Sequence, residues 1–167
     1  MSAVATTVDP LEFRRVMGHF PTGVTVLTTV HDGHRHGMTA NSVTSVSLDP
    51  VLILVCLTRT ARTALAIRKT GRFAVNFLRE DQEDVSRRFA APLQDHFEGL
   101  EVEEGPDGLP ILPGCLAYLT CRTTEVVTAG DHDIVLAEVE HAQANGGNPL
   151  VFFLGGYRRL PGMGRLG

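Results

Sequence analysis

Runs of β-branched and aromatic residues, closed by Gly, Pro and Asp turns, succeed one another along this chain, and no helix regularly intervenes between them. Such a succession favours antiparallel pairing through hairpins, because parallel neighbours need crossovers of a dozen or more residues. The runs occupy residues 24–30, 38–48, 51–57, 73–78, 115–127, 134–141 and 150–154. With about three helical segments among them, they predict a mainly β fold with peripheral helices, a Greek-key-like antiparallel barrel rather than a doubly wound sheet. A length of 167 residues fits one domain with one core. That core runs from about 11 to 157, and 158–167 reads as a flexible tail.

Local signals place the elements. Asp9-Pro10-Leu11-Glu12 supplies an N-cap, a proline at the first helical position and an acid at N3, and Phe13, Val16, Met17 and Phe20 follow at helical spacing. His31-Asp32-Gly33 closes a first hairpin. Its return strand over 38–48 carries a polar face of Thr39, Asn41, Ser42, Thr44, Ser45 and Ser47. Asp49-Pro50 ends that strand. VLILVCL (51–57) is apolar on both faces, as in a strand buried from both sides, and predicts the sheet centre. Thr60 can cap a helix over 61–70 with Leu65, Ala66 and Ile67 inward and Gly71 as a left-handed stop. Asp81 can cap another carrying Val85 and Phe89. Residues 92–114, rich in Pro, Gly and acids, read as a long surface excursion.

Charge and composition narrow the function. A net charge of −4 and a pI near 5.9 oppose a phosphate polymer, so nucleic acid is not an expected partner. The longest apolar run, 51–57, is far short of the roughly 20 residues a membrane helix needs. Residues 1–8 do not resemble a secretory signal, and the expected compartment is the cytoplasm. Cys56, Cys115 and Cys121 form no CxxC pair and read as small buried hydrophobes, with neither disulfide nor zinc expected. His31, His34 and His36 lie together on a turn, but without further ligands they read as surface histidines, and no metal is expected. Gly162-Met163-Gly164-Arg165-Leu166-Gly167 satisfies G-x-G-x-x-G, yet no helix or distal acid can follow it, so the match is accidental. There is no G-x-S-x-G nucleophile elbow and no G-x-x-x-x-G-K-[ST] loop. The poverty of acid, base and nucleophile motifs fits a protein that leaves its chemistry to a bound cofactor.

On pattern alone, Gly37 to Leu48 (GMTANSVTSVSL) is a strand with one polar face. Together with Phe20-Pro21-Thr22-Gly23-Val24-Thr25-Val26, Asp49-Pro50, Phe73-Ala74-Val75-Asn76, Phe89, Gly130-Asp131-His132 and Gly155-x-Tyr157, it resembles the flavin reductase components of two-component flavin-dependent monooxygenases. The resemblance runs from about Leu11 to Tyr157. It implies an FMN-binding split β-barrel and an NAD(P)H:flavin oxidoreductase that reduces FMN or FAD with NADH or NADPH. Reduced flavin would pass to a partner monooxygenase, and the reductase would be a homodimer whose contact includes the N-terminal helix and the 92–114 excursion.

The same resemblance implies a flavin ring along Met38, Thr39, Ala40, Asn41 and Ser42, with Ser47, Cys56, Leu57 and Thr58 toward the ribityl chain. Arg62 and Thr63, at a helix start whose free amides favour an anion, would hold the phosphate. Arg88 and Phe89 would close the site. His132, with Phe153, Gly155 and Tyr157, would meet the nicotinamide, His132 as the catalytic residue. One departure is Leu154, where many members of the family carry arginine, with Arg158 or Arg159 as replacements. The alternative is a split-barrel flavin- or haem-binding protein without reductase activity.

Overall fold

The structure is a computed structural model that describes residues 7–161; the Gly162–Gly167 match lies outside them. In chain order the elements are α1 (Pro10–Met17), β1 (Thr22–Gly23), β2 (Thr25–His31), β3 (His34–Ala40), β4 (Val43–Leu48), β5 (Val51–Thr58), α2 (Arg62–Thr70), β6 (Arg72–Phe77) and α3 (Glu83–Ala90). They continue as β7 (Glu103–Glu104), a 3-10 turn at Pro106–Gly108, β8 (Pro110–Ile111), β9 (Ala117–Ala129), β10 (His132–Ala144), β11 (Val151–Phe153) and β12 (Gly156–Arg158). The fold is mainly β with antiparallel pairing, as the hairpin rhythm predicts.

Seven strands form one sheet in the order β3-β2-β6-β9-β10-β5-β4. Its two edge strands, β3 and β4, are consecutive in the chain and joined only by Asn41 and Ser42. Cα atoms lie about 3.8 Å apart, so this link spans at most ~11 Å. The sheet must therefore curl until its edges nearly meet. They do not pair, and a seam remains along one side of the barrel. The expected single strand over 38–48 is thus two strands on opposite edges. Its alternation persists through the break, which is why pattern could not locate it. Bonding changes partner there instead: Asn41 Nδ2 donates to Thr22 Oγ1 (3.3 Å), while Cys56 N donates to the Ser42 carbonyl (3.2 Å).

The strands buried on both faces are β2 and β6, whereas β5 lies second from an edge. Ile53, Val55 and Leu57 enter the main core with Leu27, Ile67, Phe73 and Val135. Leu52, Leu54 and Cys56, on the other face of β5, are only half-buried. The apolar run 51–57 therefore does not mark the sheet centre. Threonines disguised a strand that is buried on both faces: Thr25, Thr28 and Thr29 are buried in β2, and each hydroxyl donates to a backbone carbonyl, of Ala40, Pro110 and Arg72 respectively. A buried hydroxyl so bonded loses little against an apolar side chain.

The helices begin and end close to expectation, with different caps. Asp9 accepts from Leu11 N (2.9 Å) at α1, but Glu12 pairs with Arg15 rather than closing a capping box. Ala61, not Thr60, precedes α2, and Gly71 ends it in the left-handed conformation (φ 66°). Ala64, Ala66 and Ile67 face inward, whereas Leu65 is exposed. Gln82 rather than Asp81 precedes α3, because Asp81 chelates the Arg79 guanidinium. The 92–114 segment is no surface excursion: Phe97, Leu109, Ile111 and Leu112 are buried against the barrel. Cys115 and Cys121 are buried as expected, with burial pushing the Cys121 thiol up to about 12, while Cys56 is half-buried. No helix among the described residues is long and apolar enough to cross a membrane.

Candidate functional site

The polar residues around the seam form one connected group. Ser42 Oγ donates to the Cys56 carbonyl (2.8 Å), so Ser42 is clamped to β5 through both its side chain and its carbonyl. Two residues along β5, Thr58 pairs with His132 at the start of β10, and Thr58 Oγ1 lies 3.3 Å from His132 Nε2. His132 Nδ1 lies 2.7 Å from the Asp131 carboxylate. An ionised carboxylate only accepts, so Nδ1 carries a proton and Nε2 is the ring nitrogen turned toward Thr58. The imidazole bond holds the Asp131 carboxyl below the usual carboxylate range.

Asp133 fixes the same turn from inside. It is 1% exposed, accepts from Thr128 Oγ1 (3.2 Å) and pairs with Arg68 and Arg59. Arg59 N in turn donates to the Asp131 carbonyl (3.1 Å).

From Asn41 the group continues through Thr22 to the small sheet β1-β11-β12, where Thr22 pairs with Phe152. Leu154 and Gly155 make the β11–β12 turn, both at positive φ (50° and 71°), the conformation of a two-residue hairpin loop. That turn directs Tyr157 back under α3. Its hydroxyl lies 2.7 Å from Ser86 Oγ, the Ser86 carbonyl accepts from Thr39 Oγ1 (2.6 Å), and the Arg87 guanidinium sits 4.8 Å above its ring. Thr39, Asn41, Ser42, Cys56, Thr58, His132 and Tyr157 are thereby linked. Ser47 lies farther along β4 and accepts from Asp49 N (3.2 Å). Met38, Ala40 and Leu57 turn their side chains toward the core, so only their backbones face the seam.

Arg62, Thr63, Arg88 and Phe89 stand around an adjoining cavity rather than at the seam. This cavity, about 1600 Å³, follows β3 from the His31–His34 turn to Met38 and Thr39 and is walled by the α2 start and residues 89–97. Leu65 N takes the Ala61 carbonyl as the first intrahelical bond of α2, so the amides of Arg62, Thr63 and Ala64 have no helical partner. The Arg62 guanidinium donates to the Leu93 and Gln94 carbonyls, and Arg88 to those of His96 and Glu98. Phe89 is 2% exposed, stacked on His96 (centroids 5.5 Å) and edge-on to Phe97 (5.0 Å). Both arginines thus fasten the cavity wall. Phe153 stays half-buried on β11, and Arg158 folds onto the Tyr157 carbonyl.

Sequence reasoning passed over Ser86 and Thr22 as site residues. Ser86 carries no signal of its own, because it reads as one polar position on a helix. Thr22 stood within the 20–26 run and was legible only as part of a motif.

This seamed antiparallel barrel, with polar residues at the seam and a large cavity beside it, is that of an oxidoreductase of the flavin reductase class, by its likeness to known proteins. More particularly, the chain belongs to the flavin reductase like domain family, whose model matches residues 17–161. It is 44% identical over 152 residues to the reductase component of a 4-nitrophenol 4-monooxygenase/4-nitrocatechol 2-monooxygenase from Rhodococcus opacus, covering 91% of this chain and 82% of that one. An NADH-dependent flavin reductase from a Rhodococcus species is 40% identical over 161 residues, 95% of this chain and 90% of the relative. Among solved structures, the NADH:FAD oxidoreductase SgcE6 of Streptomyces globisporus superimposes with a TM-score of 0.87 at 38% identity, covering 95% of this chain and 99% of that one.

Proposed function

We propose that the protein takes a hydride from NADH onto a flavin held along the seam and passes the reduced flavin to a monooxygenase. The observation that carries this reading is the linked polar group from His132 through Ser42 and Asn41 to Thr22, beside a cavity long enough for a flavin's tail. The seam suits a flat heteroaromatic edge, because backbone groups of two unpaired strand edges converge there. Met38, Thr39, Ala40, Asn41 and Ser42 line the ring, and Ser47, Cys56, Leu57 and Thr58 border its side chain. Arg62, Thr63 and the free amides of α2 hold the phosphate, with Arg88 and Phe89 keeping the wall in place. When bound, the flavin supplies the hydride-accepting centre that no side chain here offers.

His132 is the catalytic residue. Asp131 and Thr58 fix its tautomer and orientation, so that the ring positions the nicotinamide for hydride transfer. Phe153, Gly155 and Tyr157 shape that side, with Leu154 at the turn. Supply to a monooxygenase, by transient contact or through diffusing flavin, is supported by relatives named as reductase components. A cytoplasmic location accords with three free cysteines. A homodimer accords with the apolar face of α1, which buries none of its residues.

Nicotinamide absorbance, followed with NADH or NADPH and with FMN, FAD or riboflavin, tests the activity. Flavin-dependent NADH oxidation is expected, and its absence with every flavin would leave the flavin- or haem-binding alternative. His132→Ala raises the KM for nicotinamide by about tenfold, the loss of roughly 1.4 kcal/mol of binding, with a smaller change in flavin affinity. Unchanged kinetics would remove His132 from the site.

A further inference from the structure

The β11–β12 turn holds a residue that its backbone disfavours. Leu154 has a φ of 50° and precedes Gly155 at 71°. A two-residue loop with both φ positive prefers Asn-Gly or Asp-Gly, because a bulky side chain crowds the backbone in the left-handed region. Burial returns only part of that cost, since Leu154 remains 49% exposed. Asparagine or glycine would serve the turn better, so the fold alone does not account for a leucine here.

The side chain stands on the side assigned to the nicotinamide. Leu154 N donates to the Gly18 carbonyl (2.9 Å), which fastens the turn to the end of α1. The Asp131 carboxyl is lowered chiefly by its His132 bond and further by Arg14 of α1. One helix thus borders both the His132 turn and the Leu154 turn. From β11, Phe152 pairs with Thr22, which accepts from Asn41 at the seam, and Tyr157 follows on β12. An apolar side chain in water therefore sits on the turn that joins the two strands of this wall.

We propose that Leu154 is a specificity-determining residue that favours the reduced nicotinamide over the oxidised one. This rests on the reading of the protein as a nicotinamide-dependent flavin reductase. The dihydronicotinamide ring is uncharged, whereas the ring left after hydride transfer is a pyridinium cation. An apolar contact strips water from either, and only the cation loses hydration that nothing replaces. Leucine therefore holds the hydride donor and lets the oxidised nucleotide go. The contact forms only with the nucleotide in place, which accounts for an apolar side chain kept exposed in an unfavourable conformation.

Steady-state kinetics with NADH, product inhibition by NAD+ and melting temperatures of the wild type, Leu154→Asn and Leu154→Met test the proposal. Leu154→Asn suits the turn, so it melts no lower than the wild type. Its KM for NADH rises about fivefold, a difference of ~1 kcal/mol, while the inhibition constant of NAD+ does not rise. Leu154→Met keeps an apolar contact and restores the wild-type KM. An unaltered KM in Leu154→Asn, or a KM and an inhibition constant that rise together, would overturn this proposal alone. So would a markedly lower melting temperature, which assigns the leucine to the fold, or a changed sedimentation coefficient, which assigns it to a contact between copies. A wild-type protein without flavin-dependent NADH oxidation would overturn both it and the reductase reading.

Discussion

Asn76 is fully buried and uses its amide at both ends. Its Nδ2 donates to the Val26 carbonyl (3.0 Å) and Thr28 Oγ1 (3.1 Å), and its Oδ1 accepts from Leu112 N (2.9 Å). Thr28 then donates to the Pro110 carbonyl. One side chain thereby holds the 110–112 segment against β2. Asn76→Ala strands buried groups at about 1–3 kcal/mol each, and at ~2–4 °C per kcal/mol the melting temperature falls by several degrees. Hydrogen exchange should show the Leu112 amide losing protection first. An unshifted melting temperature would mean that water replaces the amide. In the sequence Asn76 was legible as part of a strand motif, whereas its partners, 36 to 50 positions away, were not. His132 is similar: the Gly130-Asp131-His132 turn was visible, but its meeting with Thr58 depends on the register of β10 on β5.

Among the elements, the contact of α3 with β3 is set by a missing side chain. A Cβ on Gly37 would lie 2.5 and 2.7 Å from atoms of the Phe89 ring and 3.2 Å from Phe97, so only glycine lets α3 approach this closely. Gly37→Ala forces the helix outward at a cost of about 1–3 kcal/mol. Because Arg88 and Phe89 fasten the cavity wall, flavin affinity should weaken along with stability; a variant that loses neither would show that Phe89 has room to turn. Hairpin pairing, the N-terminal helix and the left-handed stop at Gly71 were legible because each depends on neighbours in sequence. The break at Asn41–Ser42 and the inward fold of 92–114 were not. Both are decided by distant partners, β5 for the first and the barrel wall for the second.

At the scale of the whole molecule, an apolar surface lies uncovered. Phe13, Val16 and Met17 on α1 are 57%, 54% and 48% exposed, and Leu48 and Val51, paired at the β4–β5 turn, are exposed as well. Isolated exposed apolar residues are ordinary, but a whole helix with none buried points to a partner. If the protein is a homodimer closed through α1, Phe13→Asp/Met17→Asp should sediment as a monomer while keeping its β circular dichroism. A variant that remains dimeric would place the contact elsewhere. The seam has a different consequence, for how such proteins diversify in length. A two-residue crossing between sheet edges has no slack, so an insertion there would pry the barrel open. Turns between strands that already pair carry no such constraint, and chains built on this plan are free to grow or shrink there while the groove keeps its width.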